Sequence, residues 1–412
     1  MKELRIGIIG TGMISGRHMT VWSNIPGTSV VAACDIDEKK VQDFGEKYHI
    51  PKENLYTDFR QMLKRDDLDC IDVCVHNNLH TPVSVAVMKA GFPCYSEKPM
   101  AATYADAKIL YDAQKTYQQK LAVQISSIYN LQTRLAKKLI EEGKLGKLYH
   151  ARSVGHRREG RPGLDMPFFS RDFISKKIGG HGPLCDLGIY HLAQMLYIMG
   201  MPELESVYGV SSADYYLDKR MLPKGLAYEV EDLSAGLARF KGGISLDIYE
   251  DWAMHIDDVG SSFIAGSLGG LKLIDVDQTG GDLARPKGGG MIIGGGMVQK
   301  PTLEFYGYEE GIMVSKVIDC QLNGRKEAMV NPRISLYNDN QVHWAAYVRG
   351  DLDDKDRIDS PYIAMQTALL SEGIFLSQEL GRSVSAGEII EKSVSMAVRK
   401  QETPWGIIEY DF

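Results

Sequence analysis

The sequence predicts an α/β fold in two parts, a doubly wound parallel sheet followed by a second α/β domain built on a large, mainly antiparallel open sheet. Short apolar strands alternate with amphipathic helices over residues 1–125, which is the pattern of right-handed βαβ units. From residue 148 onward the apolar runs are longer, alternate with polar residues and are seldom separated by helices. A chain of 412 residues is also too long for one hydrophobic core.

The first βαβ unit is clear from its turn and its periodicity. A β-rich run at residues 4–9 is followed at once by Gly10-Thr11-Gly12 and a helical stretch over 17–22. A second strand at 29–34 precedes a helix at 38–48, in which apolar residues recur every three or four positions. The same alternation predicts helices at 58–65, 82–90, 104–117 and 131–142, and strands at 70–75, 94–96 and 121–125.

The second part begins after a boundary that we place near residues 125–148, which divides the chain into domains 1–125 and 126–412. Its strands are predicted at 149–156, 205–212, 232–240, 243–249, 260–265, 271–276 and 303–306. One helix is predicted at 183–199, and a late helical region at 341–380 is expected to pack back on the first domain. The glycine-rich segment 280–296 lacks the Lys-Ser/Thr ending of a phosphate loop, so we interpret it as a surface loop.

Composition excludes several classes of partner. With 44% hydrophobic and 25% charged residues the chain is ordinary for a globular protein, and a net charge of −7 gives no attraction to nucleic acid or anionic membrane. No apolar run approaches the roughly 20 residues that span a bilayer, and the N-terminus already reads as a strand. The six cysteines are scattered without a CxxC pair. We therefore expect a cytoplasmic protein with reduced core thiols.

The first turn carries a dinucleotide-binding signature, Gly10-x-Gly12-x-x-Ser15. The first glycine permits the tight turn, the second lets the backbone approach a pyrophosphate, and the third position needs only a small side chain. Asp35 ends the second strand, where a carboxylate accepts hydrogen bonds from the adenosine ribose and repels a 2′-phosphate. The alternative is a plain turn beside a surface acid. The context favours a Rossmann domain that prefers NAD over NADP.

With these residues assembled, the chain resembles the Gfo/Idh/MocA family of sugar-directed oxidoreductases. The matching segments include Gly10 to Gly12 with His18, residues 77–80, Glu97-Lys98-Pro99, residues 179–190, Glu231-Asp232, residues 266–270 and Gly381-Arg382. The resemblance implies an N-terminal Rossmann domain and a C-terminal α/β domain whose open sheet commonly forms oligomer contacts. It also implies NAD(P) as cofactor and a polyol, sugar or glycoside as substrate.

The resemblance also assigns catalytic roles. It places Lys98 beside the nicotinamide and the substrate hydroxyl, and it carries an aspartate to Asp186 and an acid/base group to Tyr190. Many members have His at the position of Tyr190 and Gly at that of His181, whereas this chain has Tyr190-His191. This departure leaves the identity of the proton-transfer group open.

The chemistry of an alcohol dehydrogenase fits these residue types. Lys98 follows a strand of an open α/β sheet, where ligands bind, and a cation there stabilises a developing alkoxide. Asp186 and Tyr190 are four residues apart on the predicted helix and share a face, whereas His191 is rotated by about 100° from Tyr190. Geometry favours Tyr190, but an unperturbed imidazole is the readier base at neutral pH.

The remaining candidates bind the cofactor or the substrate. His80 is interpreted as a packing or cofactor-loop residue, and the cationic segment starting at His156 as a solvated loop or as a rim for an extended substrate. The cofactor set comprises Gly10, Thr11, Gly12, Met13, Ile14, Asp35, Asn77, His80, Glu97, Lys98 and Gln124. The substrate set comprises Lys98, His156, Arg158, His181, Asp186, Tyr190 and Trp252, the last as a stacking wall or as core. No metal site is expected.

The sequence therefore supports a ranked set of hypotheses. The first is an NAD-dependent dehydrogenase acting on a ring hydroxyl of a sugar or glycoside, with C3 oxidation as one form, in a homo-oligomer joined through the open sheet. The second is an NAD-dependent glycosidase that works through a transient 3-keto intermediate. The third is a non-catalytic NAD-binding sensor, against which the presence of Lys98, Asp186 and Tyr190 counts.

Overall fold

The computed structural model describes residues 3–213, 227–256, 258–274 and 302–412, and the glycine-rich segment 280–296 lies outside them. The chain divides into two compact units. Unit 1 comprises Met1–Ile125, Leu336–Ala368 and Ser393–Phe412, and unit 2 comprises Ser126–Ser335 and Leu369–Lys392. Each unit is described below by itself.

Unit 1 is built on a six-stranded sheet in the order β3-β2-β1-β4-β5-β6, with every pair of neighbours parallel. The strands are β1 (Leu4–Ile9), β2 (Thr28–Cys34), β3 (Leu55–Tyr56), β4 (Cys70–Val73), β5 (Cys94–Ser96) and β6 (Leu121–Val123). This strand order is that of the Rossmann fold, with a reversal between β1 and β4 at whose carboxyl ends ligands bind. The predicted doubly wound parallel sheet is confirmed.

The helices of unit 1 cover this sheet. They are α1 (Met13–Trp22), α2 (Glu38–Tyr48), α3 (Phe59–Met62), α4 (His80–Lys89), α5 (Tyr104–Thr116) and α10 (Asn340–Arg349). The late helix α10 belongs to the same core as the first strand, because Trp344 is buried together with Leu4, Ile6 and Trp22. The hairpin of β16 (Lys400–Thr403) and β17 (Gly406–Glu409) also belongs to unit 1 and has no counterpart in the sequence prediction.

Unit 2 contains a nine-stranded sheet in the order β14-β13-β12-β11-β7-β10-β9-β8-β15. Its strands are β7 (Leu148–Gly155), β8 (Leu204–Ser212), β9 (Leu233–Phe240), β10 (Ser245–Asp251), β11 (Phe263–Gly266), β12 (Gly269–Ile274), β13 (Thr302–Glu309), β14 (Ile312–Asp319) and β15 (Val384–Ser385). Among the strands of the described residues, β7 and β10 pair in parallel and every other pair of neighbours is antiparallel. The predicted large, mainly antiparallel sheet is confirmed, although β14 and β15 were not foreseen.

The helices of unit 2 lie at α6 (Leu131–Glu141), α7 (Pro183–Asp186), α8 (Gly188–Ile198), α9 (Cys320–Val330) and α12 (Ala386–Lys392), and α11 (Ser360–Leu380) is divided between the units. The helix predicted at 183–199 is in fact two helices separated at Leu187. Gly188 follows the break, and glycine costs about 1 kcal/mol relative to alanine inside a helix. Asp186 and Tyr190 therefore lie on consecutive short helices.

Predictions from the sequence also concern the cysteines and membrane-spanning segments. All six cysteines lie in the described part, and each is a buried thiol outside any disulfide. Among the described residues, no helix combines the length and the apolar character that crossing a membrane requires.

Candidate active site and cofactor-binding residues

The turn between β1 and α1 is shaped by two glycines with different constraints. Gly10 has φ +93°, and a Cβ there would lie 2.4 Å from the carbonyl oxygen of Cys74, so the fold itself requires glycine. A Cβ on Gly12 would meet no atom within 4 Å, and no side chain caps the start of α1. Among the described residues, the first turn of α1 therefore has no side-chain cap, and the position beside Gly12 is open. Such a helix start suits an anionic phosphate.

Asp35 lies beside this turn at the end of β2. Its Oδ2 accepts hydrogen bonds from the backbone N–H of Thr11 (2.8 Å) and from Thr11 Oγ1 (3.0 Å), and its Oδ1 accepts from Asp37 N (3.0 Å). Met13 and Ile14 in the first turn of α1 both retain solvent exposure. The geometry brings the predicted ribose carboxylate to the predicted pyrophosphate turn.

Glu97, Lys98 and Pro99 follow β5 at the carboxyl edge of the sheet. Glu97 is buried, and its Oε2 accepts the backbone N–H of Lys98 at 2.9 Å. The Lys98–Pro99 peptide bond is cis. His80 is enclosed, with Nδ1 2.6 Å from the carbonyl of Pro99 and Nε2 3.1 Å from that of Val75. Burial lowers the pKa of His80, whose position is that of a packing residue behind the Lys98 turn.

Two further predicted cofactor residues also follow strands of unit 1. Asn77 begins a 3₁₀ turn after β4, and Gln124 follows β6 with its backbone N–H bonded to the carbonyl of Ser96 at 2.8 Å. The buried Oε1 of Gln124 has no hydrogen-bond partner among the described residues. Since buried polar atoms are normally paired, this oxygen is suited to receive a donor from a ligand.

A buried polar network behind the turn joins three elements of unit 1. His18 of α1 lies between two carboxylates, with Nδ1 2.8 Å from Asp72 Oδ2 and Nε2 2.7 Å from Glu97 Oε1. Trp22 Nε1 also donates to Asp72 at 2.7 Å. Burial would lower the pKa of His18, but the negative charge of Asp72 outweighs it and holds the pKa well above its usual value. Burial would raise the pKa of Glu97, yet its bond to His18 keeps that pKa low.

The same cluster has metal-ligand chemistry. Ligand atoms of His18, Asp72 and Cys74 all lie within 4.8 Å of one another, and all three residues are buried. Cys74 Sγ is 3.3 Å from His18 Nδ1, and burial raises the pKa of this thiol far above its ordinary value. The side-chain atoms of these three residues are within hydrogen-bond distance of one another, so we interpret the cluster as a hydrogen-bonded network of the core.

In unit 2, Asp186 ends α7 and is held by its neighbours. Trp252 Nε1 donates to Asp186 Oδ2 at 3.2 Å, and a guanidinium nitrogen of Arg157 lies 3.9 Å from the same oxygen. The Trp252 side chain has no exposed surface and packs with Ile174 and Leu187. Of the two roles considered for Trp252, a stacking wall or a core residue, the structure favours the core, because a buried indole has no face for a sugar ring. Its place in the predicted substrate set is therefore corrected.

The second half of the proposed catalytic motif lies on α8. Tyr190 and His191 are both partly exposed, and the carbonyl of Tyr190 accepts a hydrogen bond from Ser127 Oγ at 2.7 Å. His191 Nδ1 lies 3.0 Å and 3.1 Å from the two carboxylate oxygens of Glu250, whose side chain is fully buried. His191 is thus anchored to a carboxylate on β10.

His156 follows β7, and its side chain is buried. Its Nδ1 is 2.7 Å from Asp251 Oδ2 and its Nε2 is 2.9 Å from the carbonyl of Ile256, with no side-chain exposure. Burial would lower the pKa of His156, but the bond to Asp251 raises it, which suits a ring that donates from both nitrogens. The expected substrate contact of His156 is corrected to a structural one. Arg158 is exposed, as a rim residue would be.

His181 precedes α7 and is stacked on Phe375 with ring centroids 3.9 Å apart. Burial lowers the pKa of His181 to about 4, and its Nδ1 is 3.9 Å from Glu231 Oε2. Burial raises the pKa of Glu231 to about 8. Glu231 Oε1 accepts the backbone N–H of Gly182 at 2.8 Å, so this side chain fixes the start of α7.

Two buried acids in these networks were missed by sequence reasoning, although signals for them exist. Asp72 interrupts the apolar run of β4, and parallel strands rarely carry a charge there. Glu250 alternates with Leu246 and Ile248 on the buried face of β10. A carboxylate in either position predicts a buried partner, which the structure identifies as His18 and His191.

The strand order and the glycine turn of unit 1 are those of a nucleotide-binding Rossmann domain. The family described as "Oxidoreductase family, NAD-binding Rossmann fold" matches residues 4–125, and the "GFO/IDH/MocA C-terminal domain" matches residues 133–272. The chain belongs to the Gfo/Idh/MocA family of NAD-binding oxidoreductases.

Individual relatives agree with this membership. D-glucoside 3-dehydrogenase of Escherichia coli is 28% identical over 62% of this chain and 72% of its own length. Levoglucosan dehydrogenase of Pseudarthrobacter phenanthrenivorans is 27% identical over 60% of this chain and 63% of its own length. An alpha-N-acetylgalactosaminidase of Tannerella forsythia is 29% identical over 36% of this chain, and the match spans only 33% of that protein.

The structural likeness extends over most of the fold. The structure of a levoglucosan dehydrogenase in complex with NADH and L-sorbose matches 94% of this chain and 99% of its own, with a TM-score of 0.69 and 19% identity. At that identity the match supports the fold alone.

Proposed function

We propose that the chain is an NAD-dependent dehydrogenase that oxidises a ring hydroxyl of a sugar or glycoside, with a 3-keto glycoside as one product. The observation that carries the proposal is the Lys98 turn at the carboxyl edge of the unit 1 sheet, where Glu97 fixes the backbone of Lys98. The activities named for the relatives, glucoside 3-dehydrogenase and levoglucosan dehydrogenase, support this substrate class.

The residues of unit 1 fit NAD. The open space at Gly12 suits the pyrophosphate, and Gln124 supplies a buried oxygen without a partner among the described residues. When bound, NAD supplies the acceptor for the hydride that leaves the substrate carbon. Asp35, fixed by Thr11, favours ribose hydroxyls and opposes a 2′-phosphate, so we propose NAD in preference to NADP.

The chain's own residues orient the substrate and handle its proton. Lys98 stabilises the oxygen of the reacting hydroxyl as negative charge grows on it. Asp186, held by Trp252, orients the sugar through its hydroxyls. The proton goes to α8, where the family position favours Tyr190 and intrinsic basicity favours His191.

We further propose that the chain forms a homo-oligomer through the free face of its unit 2 sheet. Strand register and alternation place Tyr208, Leu237, Tyr308, Met313 and Val317 on one face, and all five are exposed. Exposed apolar patches of this kind mark interaction sites. Light scattering of wild type and of Leu237→Lys tests this contact, since a smaller assembly is expected from the variant.

The cellular compartment follows as a further proposal. Six buried cysteines without a disulfide suit a reducing environment, so we propose the cytoplasm. Neither a nucleic-acid nor a membrane partner is part of the proposal, because a net charge of −7 disfavours both polyanions and anionic lipids.

The second candidate is an NAD-dependent glycosidase that forms a 3-keto intermediate transiently. The observation in its favour is the similarity to the N-acetylgalactosaminidase over 36% of this chain. Such an enzyme regenerates NAD within each cycle, whereas a dehydrogenase releases NADH.

Absorbance at 340 nm across a panel of free sugars and glycosides tests the proposal and separates the candidates. A dehydrogenase accumulates NADH, and a glycosidase cleaves a chromogenic glycoside without net NADH. Absence of both reactions would contradict the proposed function.

A further inference from the structure

His191 of α8 and Glu250 of β10 form a hydrogen-bonded pair. His191 Nδ1 lies 3.0 Å from Oε1 and 3.1 Å from Oε2 of Glu250. The Glu250 side chain has no exposed surface, while 19% of the His191 side chain is exposed. Both carboxylate oxygens thus lie within hydrogen-bond distance of Nδ1, so either can accept an N–H from that nitrogen. The other ring nitrogen, Nε2, is therefore directed away from the carboxylate.

Two glycines on neighbouring elements lie against the pair. Gly155 of β7 lies opposite Glu250 of β10 in the parallel register. A Cβ on Gly155 would lie 2.0 Å from Glu250 Oε2 and 2.3 Å from His191 Nδ1. A Cβ on Gly188 would lie 3.3 Å from Glu250 Cγ. Two glycines thus provide the space that the pair occupies.

The other charged groups near Glu250 do not replace His191 as its partner. Burial raises the pKa of Glu250, His191 lowers it, Asp251 raises it and Arg157 lowers it. Asp251 is itself bound to His156 at 2.7 Å. In the described part of the chain, the side chain that hydrogen-bonds the Glu250 carboxylate is that of His191.

We propose that Glu250 is a positioning residue that holds His191 as the Nδ1–H tautomer, so that Nε2 takes the proton of the substrate hydroxyl. This inference rests on the proposed dehydrogenase function and assigns the proton acceptor that the function leaves open. The substrate O–H bond breaks and an N–H bond forms at Nε2, while the carbon gives its hydride to bound NAD and the alcohol becomes a ketone. The carboxylate then stabilises the imidazolium.

The tautomer is measurable without any substrate. Ring ¹⁵N NMR of histidine-labelled enzyme is expected to show His191 with its proton on Nδ1, and Glu250→Gln is expected to disturb that state, since an amide in this role permits the wrong tautomer. Asp247→Asn is the matched control three residues earlier on β10, where the half-exposed carboxylate pairs with Arg152, and it should leave the His191 signals unchanged. A proton on Nε2 of His191 in the wild type, or signals unaffected by Glu250→Gln, would overturn the proposal.

Kinetics test whether Glu250 acts through His191. Glu250→Gln and His191→Asn are each expected to lower kcat at least about tenfold with KM nearly constant, and the double variant should be no slower than His191→Asn. Additive losses would overturn the proposal. An active His191→Asn variant together with an inactive Tyr190→Phe variant would also overturn it, while leaving the proposed dehydrogenase function intact.

If the wild type transfers no hydride, the proposed function fails, and the tautomer measurement still decides whether Glu250 positions His191. Unfolding midpoints of all variants exclude misfolding as the cause.

Discussion

The imidazole of His18 connects two buried carboxylates, with Nε2 2.7 Å from Glu97 and Nδ1 2.8 Å from Asp72. Glu97 uses its second oxygen to hold the backbone N–H of Lys98 at 2.9 Å. A histidine near the start of the chain thus fixes the turn that carries the proposed catalytic lysine. Since this network is fully enclosed, its charge state contributes to the stability of unit 1.

The first prediction concerns pH and His18. Because the folded-state pKa of His18 is raised, its stabilising contribution is complete below about pH 6.5 and is lost as pH rises through the folded value. Removing the buried cation leaves two carboxylates without a countercharge, so His18→Gln should lower the free energy of unfolding by about 3–5 kcal/mol at low pH. Urea unfolding across pH should show this difference shrinking toward alkaline pH. A difference independent of pH would contradict it.

The second prediction separates the two glycines of the first turn. Gly10→Ala should strongly destabilise the fold, because Gly10 has φ +93° and a Cβ would lie 2.4 Å from a backbone oxygen. Gly12→Ala should leave the unfolding midpoint unchanged, because its Cβ meets no atom within 4 Å, yet it should weaken NAD binding at least about tenfold by obstructing the pyrophosphate. Thermal melts and NAD titrations measure both effects. Equal NAD affinity of wild type and Gly12→Ala would place the cofactor elsewhere.

The third prediction concerns cofactor choice. Wild type should bind NAD more tightly than NADP, and Asp35→Ser should reduce or reverse this preference, since it removes the charge that opposes a 2′-phosphate. Asp37→Ser is the control, a substitution of the same kind two residues along the chain. Fluorescence titration with both cofactors measures the ratio. Equal affinity of the wild type for NAD and NADP removes the role assigned to Asp35.

The fourth prediction concerns Glu231, which anchors Gly182 at the start of α7. Burial raises its folded-state pKa to about 8, so its contribution to stability is complete below about pH 4.5 and is lost as pH rises to 8. Glu231→Gln retains an acceptor for Gly182 but cannot ionise, and its unfolding free energy should exceed that of the wild type above pH 8. Denaturant unfolding at pH 6 and pH 9 checks this. A Glu231→Gln variant less stable than wild type at pH 9 would contradict the proposal that the folded protein holds Glu231 as a neutral acid.

Much of the fold follows from the sequence because period and turn residues act locally. The glycine turn, β1 and α2 are predicted with their bounds nearly unchanged, since apolar spacing and Asp37, the N-cap of α2, define them. The break at Leu187 and the strand β14 escape prediction, because helix continuity and edge pairing depend on distant packing. The candidate site likewise has a part that local sequence predicts and a part that depends on distant packing. Motifs nominate Lys98 and Asp186 as candidates, but only three-dimensional register reveals that Glu250 faces Gly155 and His191.

The account depends most on Lys98. A single-turnover measurement at 340 nm, with NAD-loaded enzyme and a pyranoside deuterated at the oxidised carbon, follows hydride transfer directly. Wild type should form NADH with a deuterium isotope effect, and Lys98→Met should bind NAD with similar affinity but transfer hydride at least about a thousandfold more slowly. Hydride transfer at the wild-type rate in Lys98→Met would contradict the role of this lysine.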